Sequence, residues 1–261
     1  MLHAGDLIDV VKGEIDAVVR GLVPDATDPI IDVQTLDTDS LSLSLPDRVR
    51  VLLHVVRSFA EREPLPLDLT GGRATVSALV KETVSRMMSL RTDLGGRRIH
   101  MAYQPIVDLR TGRTHHLEAL ARGDDGLSYA SGVAFAEQMG VATDLDLFVS
   151  RTVLRALEEA PAECRVAVNL SGHSIESDVF VATLMELLRA HPRTRARVLF
   201  ELTETVGLRD VARAGRVINE LRAAGHAICL DDFGAGAASF PYLRDLRFDY
   251  VKLDGSYVRN L

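Results

Sequence analysis

Cysteine is scarce in this sequence, with only Cys164 and Cys229 among 261 residues. The two share no metal-ligand spacing and fall on or beside predicted buried strands. Both therefore read as apolar fillers in a reducing, cytoplasmic setting. Long apolar runs are missing too: nothing approaches the about 18 consecutive residues of a membrane span. The opening MLHAGDLIDVVKGE has neither a basic n-region nor an apolar core, so no signal peptide is expected. A basic excess is also absent. The net charge of −7 speaks against a nucleic-acid polymer, whose binding depends on phosphate neutralisation by Lys and Arg. It leaves open a small nucleotide held through metals. What remains, 47% hydrophobic and 26% charged residues, is an ordinary globular composition for one or two domains.

Helical periodicity dominates the first third. Leu7, Val11, Ile15, Val18, Val19 and Leu22 lie at helical spacing. A second helix is predicted from Pro46, a favoured first position, through Val49, Leu52, Leu53, Val56 and Phe59. A third takes Val76, Leu79, Val80, Val84, Met87 and Met88. The sequence LGGRR at 94–98 reads as a linker. The expected organisation is a small all-α domain over 1–93, a linker over 94–100 and an α/β domain over 101–261.

In the second domain, apolar runs end repeatedly in polar groups. HHLEALAR carries Glu118 and Arg122, RVAVNLS ends in Asn169 and Ser171, and RVLFELTE ends in Glu201 and Glu204. AICL runs into Asp231 and Asp232, and DYVKLD ends in Lys252 and Asp254. The steps from Glu118 to Asn169, Glu201, Asp231 and Lys252 are 51, 32, 30 and 21 residues. A strand-plus-helix unit of an eightfold barrel takes roughly 30 residues, and such barrels carry functional side chains at the C-terminal ends of strands. Carboxylates and an Asn carbonyl converging there make a hard, oxygen-rich site for Mg²⁺ or Mn²⁺. The competing reading makes the acids helix caps with solvated neighbours, and Lys252 and Arg122 buried salt bridges. His115 and His116, adjacent on a strand, should point to opposite faces and read as structural or solvated. His173 and His226 have no partner at metal-site spacing.

These residues resemble a known family. EALAR (118–122) is similar to the signature that gives EAL domains their name. YQPIVDL (103–109), VNLS (168–171), ELTE (201–204), DDFGAG (231–236) and VKLD (251–254) are similar to its further motifs, in order. The resemblance implies a TIM-like (β/α) barrel, about six of its eight units, that hydrolyses the bacterial second messenger cyclic di-GMP to linear pGpG with two divalent ions, Mg²⁺ or Mn²⁺. It implies Glu118, Asn169, Glu201 and Asp231 as ligands of one metal and Asp232 for the second metal or its water. Lys252 matches the lysine that holds the attacking water, and Glu204 the glutamate that steadies the loop from Phe233 to Ser239. Arg122, Gln104 and Leu120 match substrate contacts, to phosphate and guanine for the first two.

Two features depart from the family pattern. The family continues past VKLD with two further units bearing a Gly-Val-Glu motif and a late Gln, whereas this chain ends seven residues after Asp254. The expectation is a fragment, a barrel completed by missing C-terminal units or by a homodimer partner, or an inactive descendant that binds cyclic di-GMP or docks a protein. Separately, Asp39-Ser40-Leu41 before a helix is similar to an acyl carrier protein, which implies phosphopantetheine on Ser40. Asp37 stands where that family has Gly, and a helical dimerisation or sensory module is the alternative.

Overall fold

A computed structural model of the chain describes residues 43–60, 72–96, 98–123, 129–203, 210–234 and 243–257. The chain divides into two compact units, Met1–Glu82 and Thr83–Leu261. The predicted helix at 5–22, Ser40 and Glu204 lie outside the described residues.

In the first unit, α1 (Leu45–Ala60) starts one residue before Pro46. Ser44 caps it by accepting from the Asp47 N–H, and its hydroxyl donates to the Asp47 carboxylate. The buried stripe runs through Val51 and Val55, while Val49, Leu53 and Val56 are exposed. Helix α2 (Gly72–Gly96) carries on through Leu94, Gly95 and Gly96, residues expected to lie in the linker.

The second unit is built on one six-stranded sheet in the order β1 to β6. Its strands are β1 (His100–Val107), β2 (Thr114–Arg122), β3 (Val166–Leu170), β4 (Val198–Thr203), β5 (Ala227–Phe233) and β6 (Tyr250–Leu253). β1 and β2 form an antiparallel hairpin, in which the Asp108 side chain accepts from the Arg110 and Thr111 N–H groups and Gly112 takes a left-handed φ of 68°. All later neighbours pair in parallel. Parallel pairing demands crossovers, and the three between β2 and β5 are helical: α3 (Ala130–Gln138) and α4 (Ala142–Glu159), the short α5 (Gly172–Ile175) with α6 (Asp178–Ala190), and α7 (Val211–Ala223). The result is a sheet curled into part of a barrel, in accord with the fold expected from the strand spacing.

Sequence chemistry sets these elements. Every residue of VLFEL in β4 is buried, as suits a strand covered on both faces. Helix α4 buries Leu145, Val149, Val153 and Leu157 along one stripe and packs on β3 and α6. Ser177 and Asp210 cap α6 and α7 by accepting from the N–H of Phe180 and Arg213. Among the described residues, no helix is long and apolar enough to cross a membrane.

Phe180, 1% exposed on α6, tests the packing of α6, which contacts α4 and α5. Phe180→Ala is expected to cost about 3–5 kcal/mol, read by urea unfolding under circular dichroism. A loss below about 1 kcal/mol would mean that this layer does not carry the stability of the unit.

Candidate metal centre

Side chains two apart on a strand share a face, so β2 presents His116, Glu118, Leu120 and Arg122 together. Register then aligns the neighbours: Asn169 of β3 pairs with Glu201 of β4, and Thr203 pairs with Asp231 of β5. Lys252 of β6 closes the set. Its Nζ donates to Glu118 Oε2 at 3.1 Å, Glu201 Oε2 at 2.9 Å and Asp231 Oδ2 at 3.0 Å. The Asn169 amide donates to Glu118 Oε1 at 3.2 Å. Glu118, Glu201 and Asp231 each offer an oxygen within 4.8 Å of the others. Five of the residues singled out from sequence therefore meet in one cluster.

The electrostatics follow from that crowding. Burial works against the charge of Lys252, yet its hydrogen bonds to Glu201 and Asp231 and their charges hold the ammonium well above its ordinary pKa. Glu201 is fully buried. Burial opposes its charge as well, but His116 and Lys252 outweigh it and keep the carboxyl below the usual range. Asp232 is pushed upward by burial and then by the like charges of Asp231 and Asp254. Cys229, beside Glu201 in the ladder, is raised to about 12 by burial and by Glu201 and Asp231, so its thiol stays protonated.

Backbone geometry places the two aspartates. The β5–β6 register shifts between Leu230 and Phe233, which makes Asp231–Asp232 a bulge. Asp232 takes a left-handed φ of 55°, and its N–H donates to Asp231 Oδ1 at 2.9 Å. Aspartate tolerates that conformation better than most residues. Gly234 follows at φ 97°, where a Cβ would lie 2.4 Å from the Tyr257 ring. The start of β6 is tied down as well: Arg222 of α7 forks onto Asp249 at 2.7 and 3.1 Å, and Asp249 Oδ2 accepts from the Ile228 N–H at 2.9 Å.

A cavity of 390 Å³ opens beside the cluster, lined by Glu118, Leu120, Arg122, Asn169 and Asp231 together with Tyr129 and Asp146. Leu120 and Arg122 are thus brought to the site. Gln104 sits opposite Glu118 in the hairpin but is exposed and does not line this cavity. The donors are all oxygens and a cation already holds three carboxylates together, a set that fits a hard divalent ion.

Two groups here were not legible as site residues. Asp146, buried on α4, accepts from the Ser171 N–H at 2.8 Å and the Ser174 hydroxyl at 2.7 Å, anchoring the turn after Asn169. The histidines correct the sequence reading. His115 and His116 do not diverge: a bulge between Ile106/Val107 and β2 leaves His115 unpaired, and its Nδ1 lies 2.8 Å from that of His116. Two adjacent histidines within one strand were the signal for it.

The fold is a partial β/α barrel, and its parallel strands bring together an oxygen-rich cluster that could hold a metal ion. Residues 87–261 match the EAL domain, and the chain belongs to that family. It is 34% identical to the cyclic di-GMP phosphodiesterase PA2567 of Pseudomonas aeruginosa over 62% of this chain and 29% of the relative. It is 33% identical to the probable cyclic di-GMP phosphodiesterase PdeB of Escherichia coli over 74% of this chain and 39% of the relative. The chain thus spans well under half of those proteins. Among solved structures, the FimX EAL domain of Pseudomonas aeruginosa bound to c-di-GMP superposes with a TM-score of 0.60 at 23% identity, covering 67% of this chain and 73% of that one. The manganese and cyclic di-GMP complex of Klebsiella pneumoniae BlrP1 superposes at 0.53 with 30% identity, over 63% and 42%.

Lys252→Met should leave three carboxylates uncompensated, with a stability loss on the order of 3 kcal/mol. Thermal melts should show Mn²⁺ restoring this variant more than it stabilises the wild type; melts that ignore the ion would remove the cluster as a cation site. Asp146 generates a pH test. Burial raises its carboxyl to about 6 against its hydrogen bonds to Ser171 and Ser174. The native state then holds the extra proton between about pH 4 and about 6, so this group's stabilisation is full below pH 4 and falls as pH rises through 6. Asp146→Asn should flatten that part of the stability profile, on the order of 3 kcal/mol across the window. An unchanged slope would contradict the assignment.

Proposed function

We propose that this chain acts on cyclic di-GMP as a phosphodiesterase, opening the cyclic dinucleotide to linear pGpG. The observation that carries the reading is the convergence of Glu118, Glu201 and Asp231 on Lys252, with Asn169 beside them. Family membership and relatives named as phosphodiesterases support it. Glu118, Asn169, Glu201 and Asp231 would hold one divalent ion, Mg²⁺ or Mn²⁺, and Asp232 a second. Bound there, such ions would lower the pKa of water and neutralise phosphoryl oxygens.

The chain's own residues do the remaining work. In the hydrolysis, a water hydroxyl adds to phosphorus, one ribose 3′ oxygen leaves, and that oxygen takes up a proton. Lys252, held charged by its carboxylates, has all three N–H donors on them here, and turning one of these toward the attacking water would let it hold that water in place. Arg122 sets its guanidinium against a phosphate and Leu120 provides an apolar wall, whereas the guanine contact that the family resemblance implies for Gln104 would lie outside this cavity. Residues 1–93 would act as a regulatory or dimerisation module, in a cytoplasmic setting that two unpaired cysteines suit.

A second reading is a regulator that binds cyclic di-GMP or a protein without cutting. One observation favours it: Lys252 gives the carboxylates a cation of their own. Incubation of the purified chain with cyclic di-GMP and Mg²⁺ or Mn²⁺, followed by chromatography, separates the two. The hydrolase reading expects pGpG, with turnover reduced on the order of 100-fold or more in Lys252→Ala. Firm binding of cyclic di-GMP with no pGpG would select the regulator.

A further inference from the structure

The bulge in β2 sets two imidazoles against the carboxylate cluster. His116 shares a strand face with Glu118, and His115, the extra residue of the bulge, meets it edge to face with ring centroids 5.1 Å apart. Their Nδ1 atoms are 2.8 Å apart. The other nitrogen of His116, Nε2, lies 3.8 Å from Glu201 Oε1. Both of these atoms are buried and neither has a hydrogen-bond partner. Glu201 Oε2 is already taken by Lys252 at 2.9 Å.

Proton placement narrows what this arrangement does. Two Nδ1 atoms in contact require one to carry a hydrogen and the other to accept it. A carboxylate oxygen accepts only. One assignment satisfies both contacts while leaving both rings neutral: His115 Nδ1–H donates to His116 Nδ1, and His116 Nε2–H faces Glu201 Oε1. Burial, His116 and Arg165 keep the His115 ring below its ordinary pKa, in keeping with a neutral donor. The His115 ring also packs edge-on against Tyr250, 5.5 Å between centroids, two residues before Lys252. Neither side chain has a role in the mechanism above.

We propose that His116 is a positioning residue for Glu201, donating Nε2–H to Oε1 with its tautomer set by His115, so that Oε2 stays turned toward the cation shared with Glu118 and Asp231. This rests on reading the cluster as a metal centre. A small approach of the two side chains satisfies both orphaned atoms at once. Imidazole–carboxylate contacts of this kind orient metal ligands, and losing such a partner typically weakens metal binding by about 10–100-fold.

The unaltered chain gives the first test. Proton–nitrogen correlation spectra of protein carrying nitrogen-labelled histidine, recorded without metal above the histidine titration range, should show His116 as the Nε2–H tautomer and His115 as the Nδ1–H tautomer. His116→Gln and His115→Asn supply the assignments. His116 found as the Nδ1–H tautomer overturns the proposal. Calorimetric titration with Mn²⁺ gives the second test: His116→Leu should bind about 10–100-fold more weakly, and His116→Gln, which keeps an N–H donor, should recover most of the loss. Equal affinity in wild type and His116→Leu, or no Mn²⁺ binding by the wild type, also overturns it. Absence of pGpG formation with these results intact counts against the hydrolase reading alone.

Discussion

One ammonium group holds this site together. Lys252 reaches three carboxylates on three different strands, β2, β4 and β5. Without a cation between them, the like charges of Glu118, Glu201 and Asp231 would repel one another across a few ångströms. Such a cluster is not bought cheaply, because every one of its charges gives up water. Its geometry must therefore be held from outside. Arg222 and Asp249 do this for β6, and Asp146 does it for the turn after β3.

The sheet converts that local balance into a usable surface. Parallel register puts Asn169 next to Glu201, and Thr203 next to Asp231, so that the strands deliver their polar groups at staggered levels of one face. The two-residue period of β2 then extends the same face from His116 through Glu118 to Leu120 and Arg122, which line the adjoining cavity. Two bulges adjust this regular pattern. One admits the Asp231–Asp232 pair at the end of β5, and the other brings His115 onto His116.

Much of this could be read from residues alone. Apolar runs ending in Glu118, Asn169, Glu201, Asp231 and Lys252, spaced by about one strand–helix unit, announced both a barrel-type sheet and the oxygen-rich end of it. Other features were not legible. Asp146 lies 23 residues before Asn169 on an amphipathic helix, where an acid reads as solvated unless the partner across the helix–sheet layer is known. The end of α2 was placed too early because Gly95 and Gly96 look like linker residues, yet the helix continues through them. His115 and His116 were assigned to opposite faces by strict alternation, a rule that one extra residue in the strand suspends.

The sequence by itself determined the composition of the site: which acids, which amide and which lysine, and the order in which strands would deliver them. That much follows from local chemistry, since strand periodicity and chain spacing are properties of contiguous residues. Only the tertiary structure decided how these groups share their charges and protons. The threefold contact of Lys252, the burial of Asp146 and the meeting of two imidazoles with Glu201 depend on distances between segments far apart in the chain. Those distances come from register, bulges and helix packing, which no single stretch of sequence contains.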